Sequence, residues 1–114
     1  TTGVYAKPYL IQTVETTISA TGTTQGTAKV LSNTINVIST VITGANSVAL
    51  PAAIAGMTIF ITNTNANSLN IFPASGGKIN ALATDASYTL NQNATLMFIA
   101  PATTQWYTLN STYA

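Results

Sequence analysis

Apolar and polar residues alternate with a period of two along much of the chain, which is typical of β-strands. In residues 57–63, MTIFITN, for example, Ile59 and Ile61 alternate with threonines. Val, Ile and Thr are so frequent that a helix would lose much side-chain entropy. No 3.6-residue period persists long enough to indicate a helix. Short strands at spacings of about 8–12 residues, separated by Gly, Asn and Pro, therefore predict an all-β fold.

This pattern predicts a small antiparallel β-sandwich, or a jelly-roll-like or barrel domain, of about nine short strands. Residues 1–14 are expected to form an extended N-terminal arm with the first strand, and residues 15–114 a single domain. No internal repeat of convincing length is found. The predicted strands are 9–19 (broken near Glu15), 29–43 (as one strand or two), 48–50, 57–63, 68–73, 78–82, 87–90, 95–100 and 106–110.

Residues 50–73, LPAAIAGMTIFITNTNANSLNIFP, predict a hairpin in which two alternating strands are joined by the Asn-rich turn 64–67. Residues 95–100, TLMFIA, are almost continuously apolar, which favours burial on both sides. The predicted core is Val37, Val41, Leu50, Ile54, Ile59, Ile61, Leu69, Ile71, Ile79, Leu90, Leu96, Phe98 and Trp106.

The chain is unusually poor in charge. Only 4% of its 114 residues are charged, against roughly 25% in typical soluble domains. With a net charge of +1, self-repulsion is weak and association is favoured. A subunit of a large assembly fits this composition, and so does a secreted Thr- and Asn-rich β domain. The charged residues are Lys7, Lys29, Lys78, Glu15 and Asp85.

The distribution of cations argues against two kinds of partner. There is no Arg, and the three Lys are scattered, whereas phosphate binding needs clustered cations. We therefore expect no nucleic acid and no membrane as partners. The longest apolar run, residues 48–61, is interrupted by Pro51 and Gly56 and is shorter than the ~20 residues of a membrane-spanning helix.

Few residues have the chemistry that catalysis needs. Without Cys or His, the chain lacks thiols, the usual transition-metal ligands and any Ser–His–Asp arrangement. The only carboxylates are Glu15 and Asp85, and Asp85 is expected to cap its own turn. PASGGK (73–78) lacks the spacing of a phosphate-binding loop and predicts a hairpin turn instead. We expect no enzymatic activity, no metal and no cofactor.

Residues 49–109 resemble a pattern seen in virion proteins of tailed bacteriophages. The pattern consists of LPAAIAG (50–56), TIFITNTNANSLNIFPASGGKINAL (58–82), SYTL (87–90) and FIAPATTQWYTL (98–109). It combines a Leu-Pro start, a strand ending in Asn, a strand ending in Phe-Pro and a closing Trp-Tyr strand. Within these proteins, the chain most resembles capsid decoration (cement) proteins.

The resemblance implies a non-enzymatic protein that binds the outer surface of the capsid and stabilises it by bridging major capsid proteins, commonly as a trimer. It carries no catalytic residues. Contacts of this kind rely on apolar burial and strand pairing, so we expect the interface among exposed apolar and aromatic side chains. The aromatic residues are expected to divide between the core and its rim, which leaves some of them available for an interface. The candidates are Val4, Tyr5, Tyr9, Phe60, Phe72, Tyr107 and Tyr113.

Two alternatives place the protein on the tail or outside the cell. One is a tail-fibre or spike module that binds a receptor or glycan, with Tyr88, Trp106 and Tyr107 as candidates. The other is a self-assembling extracellular filament subunit whose residues 1–14 donate a strand to the next copy.

Overall fold

The computed structural model describes residues 11–109, and every described element is a strand except one short 3-10 turn, Gln25–Thr27. All-β composition is thereby confirmed. Ten strands are present in this part of the chain, against about nine expected. They are β1 (Val14–Ser19), β2 (Lys29–Val30), β3 (Ile35–Thr40), β4 (Ser47–Ala49), β5 (Met57–Asn63), β6 (Leu69–Phe72), β7 (Lys78–Ile79), β8 (Tyr88–Leu90), β9 (Ala94–Ala102) and β10 (Gln105–Leu109).

The strands form two sheets. The large sheet has the order β1-β3-β5-β9-β10-β7, and the small sheet has the order β2-β4-β6-β8. From β1 to β6 the chain crosses alternately between them, and each of the first four strands pairs in parallel with the strand one turn later. The expected all-antiparallel pairing is therefore wrong for this half, which winds like a solenoid. Antiparallel pairs occur where β9 joins β5, β10 joins β9, and β8 joins β6.

A structural repeat that the sequence did not reveal underlies this winding. Val14 pairs with Ile35, and Ile35 pairs with Phe60, at offsets of 21 and 25 residues. In the small sheet, Val48 lies between Lys29 and Ile71 at offsets of 19 and 23 residues. Because the turns differ in length, corresponding residues do not recur at a fixed period.

The core lies between the two sheets. Ile59, Ile61 and Phe98 project from the large sheet, and Leu69 and Ile71 project from the small one; all five are buried. Removing each such side chain from water contributes about 1.5–3 kcal/mol. Of the predicted core, all residues are buried except two, Val37 and Ile54.

The two errors in the core have different causes. In β3 the alternation is reversed, because Asn36 and Ile38 point inward while Val37 is half-buried on the other face. Asn36 is accommodated because its Nδ2 donates hydrogen bonds to the carbonyl oxygens of Asn33 and Phe60. Ile54 is exposed in the connection between β4 and β5.

The predicted hairpin of residues 50–73 is also wrong, because β5 and β6 belong to different sheets. The Asn-rich segment between them is a corner of the solenoid. Asn67 Nδ2 donates to the carbonyl oxygens of Val41 (2.7 Å) and Ile42 (3.1 Å), which lie in the preceding corner. The asparagines therefore join successive turns of the chain. PASGGK likewise connects strands of different sheets and is not a hairpin turn.

The described part of the predicted arm is attached to the sheet. The Thr13 carbonyl accepts a hydrogen bond from the Ile35 N–H at 2.9 Å. The register between β1 and β3 shifts between Glu15 and Ile18, near the predicted break. Residues 1–10, which make up most of the predicted arm, lie outside the described residues.

Candidate protein-contact surface

An apolar row crosses five strands on the outer face of the large sheet. Pairing places Val14, Ile35, Phe60, Met97 and Leu109 side by side on β1, β3, β5, β9 and β10. We call these five residues the outer row. With strands about 4.8 Å apart, it is roughly 19 Å long. Its two ends are the most open positions, since Val14 is 52% and Leu109 58% exposed.

The positions flanking the outer row make the surface partly apolar and partly hydroxylated. On one side, Thr58, Ile99 and Tyr107 face each other on β5, β9 and β10. On the other side, Thr62 and Thr95 pair through their hydroxyls, whose oxygens are 2.8 Å apart. This surface therefore offers apolar contact together with neutral polar groups at its margin.

A depression of about 540 Å³ adjoins Phe60. Gly56, Met57 and Thr58 line it from β5 and the residue before that strand, and Thr34 and Gln12 complete it. Gly56 has a φ of 96°, a conformation that side chains disfavour. A side chain from a bound protein would find an apolar and hydroxylated recess here.

The middle of this face carries no formal charge. Strands β3, β5, β9 and β10 contain no charged residue, while Lys78 lies on the edge strand β7. Neutral surface is less costly to remove from water than ionised groups. The face therefore has the composition of an interface centre, where charged residues are depleted.

The predicted interface residues divide into three sets. Phe60 and Tyr107 both lie on the outer face of the large sheet, in or beside the outer row. Phe72 lies on β6 of the small sheet, opposite Ala49, and so belongs to another surface. The remaining candidates, Val4, Tyr5, Tyr9 and Tyr113, lie outside the described residues.

Several surface residues are absent from the predicted set. The apolar run of β9 predicts burial on both sides, but Met97 is half-buried and Ile99 exposed on the outer face. Met97 and Ile99 are two residues apart, on either side of Phe98, and this spacing was the available signal that both lie on the face opposite to that of Phe98. Ile35 and Leu109 gave no comparable signal, because their place in the outer row depends on register.

The aromatic candidates for a glycan site do not form a common platform. Trp106 is only 1% exposed and belongs to the core. Tyr88 packs edge-on against Phe98, with ring centroids 6.1 Å apart. Tyr107 alone of the three is exposed. This arrangement counts against the glycan alternative, which needs accessible rings.

The two carboxylates have separate surroundings. Asp85 Oδ1 accepts hydrogen bonds from the Gly76 N–H (2.7 Å) and from Gln25 Nε2 (2.9 Å). The expectation that Asp85 caps its own turn is thus wrong, since its side chain bonds to the loop that contains Gly76 and to the 3-10 turn that contains Gln25. These bonds, that from Gln25 foremost, lower the pKa of Asp85 below its ordinary value of 3.8. Glu15 accepts a long bond of 3.4 Å from Thr17 on β1.

A second concavity, of about 270 Å³, lies between the edge strands β1 and β2. We call it the β2 groove. Glu15 and Lys29 lie at it, with Val30 and Leu31 on one wall and Ile18 on the other. Buried Asn36 also borders it, and the Oδ1 of that residue has no hydrogen-bond partner among the described residues.

Neither metal-binding clusters nor membrane-spanning helices appear in the described part of the chain. Within residues 11–109, no three Asp, Glu, His or Cys residues gather into a group that could hold a metal ion. In the same range, no helix is long and apolar enough to cross a membrane. Comparisons with protein-family models, with curated proteins and with solved structures find no match.

Proposed function

We propose that this protein is a non-enzymatic capsid decoration protein of a tailed bacteriophage, which binds the outside of the major capsid shell and bridges its subunits. The observation that carries the proposal is the outer row, a continuous apolar strip whose strands β3, β5, β9 and β10 contain no charged residue. The sequence resemblance to virion proteins supplies the class of partner. A trimeric state belongs to the same proposal.

The outer row supplies the contact chemistry that such a role needs. Aromatic residues and Met are enriched in protein interfaces, and Phe60 and Met97 lie together at the centre of the row. Burying partly exposed apolar surface contributes about 25 cal/mol per Å². Because the centre bears no formal charge, no ion must be stripped of water there.

The frame beneath the surface suits a contact that must resist mechanical stress. The strands of the outer row belong to one hydrogen-bonded sheet. Asn65 Nδ2 donates to the carbonyl oxygen of Ser39 near the end of β3, and Asn67 Nδ2 donates to that of Val41 in the corner that follows. A surface held in place in this way loses little conformational entropy on binding.

Capsid binding tests the proposal directly. Full-length protein is added to phage heads that lack it, and bound copies are counted by cryo-electron microscopy and quantitative mass spectrometry. We expect symmetric, saturable binding to the shell, and at least about a tenfold loss of affinity for Phe60→Lys. Ile42→Lys, at an exposed position in the corner after β3, serves as the control. Binding confined to tails, or unchanged binding of Phe60→Lys, would reject the proposal. Light scattering of the free protein tests the trimer.

The filament alternative retains one observation in its favour. The outer edges of β1 and β2 have no strand partner within residues 11–109, and exposed edges are receptive to added strands. This alternative therefore depends on which segment pairs with these edges in the full chain.

A further inference from the structure

An ionised side chain points toward the core from the edge strand β1. Glu15 of β1 pairs with Asn36 of β3, and Asn36 pairs with Ile61 of β5. Residues paired in this way project from the same face of a sheet, and Asn36 and Ile61 are both buried. Glu15 therefore lies on the inward face of the large sheet, although it is itself exposed at the edge.

Lys29 occupies the matching position in the small sheet. It pairs with Val48 of β4, which in turn pairs with Ile71 of β6. Val48 and Ile71 are completely buried, so the row that contains Lys29 faces the core. The next residue, Val30, projects from the opposite face and is 59% exposed. The edge strands of both sheets thus direct one charge each toward the interior.

The two charges border the β2 groove, which separates β1 from β2. Glu15 and Lys29 line it together with the buried side chains of Ile18 and Leu31. A second copy that extended both sheets at this end would cover Glu15 and Lys29 with its own core-facing side chains. Ionised groups are costly to remove from water unless each gains a well-placed partner. The two charges therefore oppose such an extension.

The backbone of these strands is also poorly suited to an added strand. The register between β1 and β3 shifts between Glu15 and Ile18, and again between Ile18 and Ser19. Irregularities of this kind interrupt the even row of N–H and C=O groups that a new partner needs. Strand β2 contains only two residues. Short edge strands, bulges and inward-pointing charges are the features by which natural sheets avoid edge-to-edge association, and all three occur here.

We propose that Glu15 and Lys29 prevent a second copy of the chain from joining at the β1 and β2 edges. Without the two charges, this end becomes an interface between copies, because the remaining side chains of the groove are apolar or uncharged. The inference does not depend on what the outer row binds. It opposes the filament alternative, in which the same edges would accept a strand from a neighbouring copy.

Replacement of both charges by valine tests the proposal. Glu15→Val with Lys29→Val removes one negative and one positive charge, so the net charge stays at +1 and cannot explain a change in association. Valine is also favourable in strands. We expect this variant to self-associate at a concentration at least about tenfold lower than the natural protein does, as measured by sedimentation velocity.

Two control variants separate the inward charges from charge in general. Glu15→Lys with Lys29→Glu keeps both inward charges and should sediment like the natural protein. Lys78→Val removes a charge from β7, the other edge strand of the large sheet. There the inward residue is the buried Ile79, which pairs with Trp106, so Lys78 projects from the opposite face and its loss should have little effect. Unchanged association of the valine pair, or an equal gain in Lys78→Val, would overturn the proposal.

Hydrogen exchange at low and high protein concentration locates the new contact. In the valine variant we expect association to slow exchange of the N–H groups of residues 15–19 and 29–30. Slower exchange confined to β5, β9 and β10 would place the contact elsewhere and would also overturn the proposal. Circular dichroism confirms that the variant is folded. If it is not, Glu15→Thr with Lys29→Thr, which is uncharged but still polar, replaces it with the same expected result.

Discussion

Phe60 and Met97 lie directly opposite each other on β5 and β9, on the side of the large sheet that faces away from the core. The next residue, Ile61, points inward and is completely buried. Adjacent positions of one strand thus belong to an external surface and to the core. Substitutions at these two positions separate binding from stability.

Phe60→Ala and Ile61→Ala should differ strongly in their effect on the free energy of unfolding. Ile61→Ala leaves a cavity in the core and should cost about 2–5 kcal/mol. Phe60→Ala removes a half-buried cross-strand partner of Met97, a contact worth roughly 0.2–1 kcal/mol. Urea denaturation monitored by circular dichroism measures both. Equal losses would mean that Phe60 belongs to the core and not to a contact surface.

Asn63→Asp should destabilise the protein although it hardly changes the shape of the side chain. Asn63 is fully buried, and its Nδ2 donates to the carbonyl oxygens of Asn67 (2.8 Å) and Leu90 (3.2 Å). A carboxylate cannot donate, and it would place its charge against those oxygens, at a cost of about 1–3 kcal/mol or more. Gln92→Glu, which adds the same charge at an exposed position, is the control. A similar midpoint of unfolding for the two variants would contradict this role.

Gly22→Ala should be far more harmful than Gly44→Ala. Gly22 has a φ of 62°, and an added Cβ would lie 2.6 Å from the Thr27 carbonyl oxygen, whereas nothing lies within 4 Å of a Cβ at Gly44. Strain of this kind costs of order 1–3 kcal/mol, before any displacement of the 3-10 turn. Thermal unfolding of the two variants provides the comparison. If the melting temperatures fall equally, the loop must have an alternative conformation that accepts alanine in place of Gly22.

The positions of the strands could be predicted from the sequence, but their partners could not. Alternation located β5 and β6 correctly, because each strand records its own inward face in its residue order. Pairing depends instead on the connection, and an Asn-rich segment suits a hairpin turn and a solenoid corner equally well. In the structure, β5 and β6 belong to different sheets, and Asn67 donates to the carbonyl oxygens of Val41 and Ile42 in the preceding corner. Unequal turn lengths concealed the repeat that would have indicated parallel pairing.

The candidate surface was predictable only in part for a related reason. Phe60 and Tyr107 could be proposed individually, since an aromatic residue on the polar side of an alternating strand is noticeable. The outer row joins residues as far apart as Val14 and Leu109, and it exists only through four successive registers. Neighbouring residues of one strand were easier: Trp106 was predicted in the core and Tyr107 outside it, and the structure has Trp106 buried and Tyr107 exposed.

Asp85 should make folding stability sensitive to acid. Its pKa is lowered in the folded protein by the bonds from Gln25 and Gly76. A carboxylate whose pKa is lower in the folded than in the unfolded protein stabilises the folded state. For Asp85 this contribution is complete above its ordinary pKa of 3.8. It is lost as the pH falls below that value and through the lower pKa of the folded state. Asp85→Asn keeps the size of the side chain and tolerates the φ of 66° at this position.

The measurement is the difference in melting temperature between the natural protein and Asp85→Asn across the acidic range. The natural protein should be the more stable at neutral pH, and the difference should shrink below pH 3.8 as the carboxylate becomes protonated. Gln25→Met, which removes the main hydrogen-bond donor to Asp85, should reduce the pH-dependent part of the difference. A difference that stays constant into strong acid would show that the bonds at Asp85 do not couple its ionisation to folding.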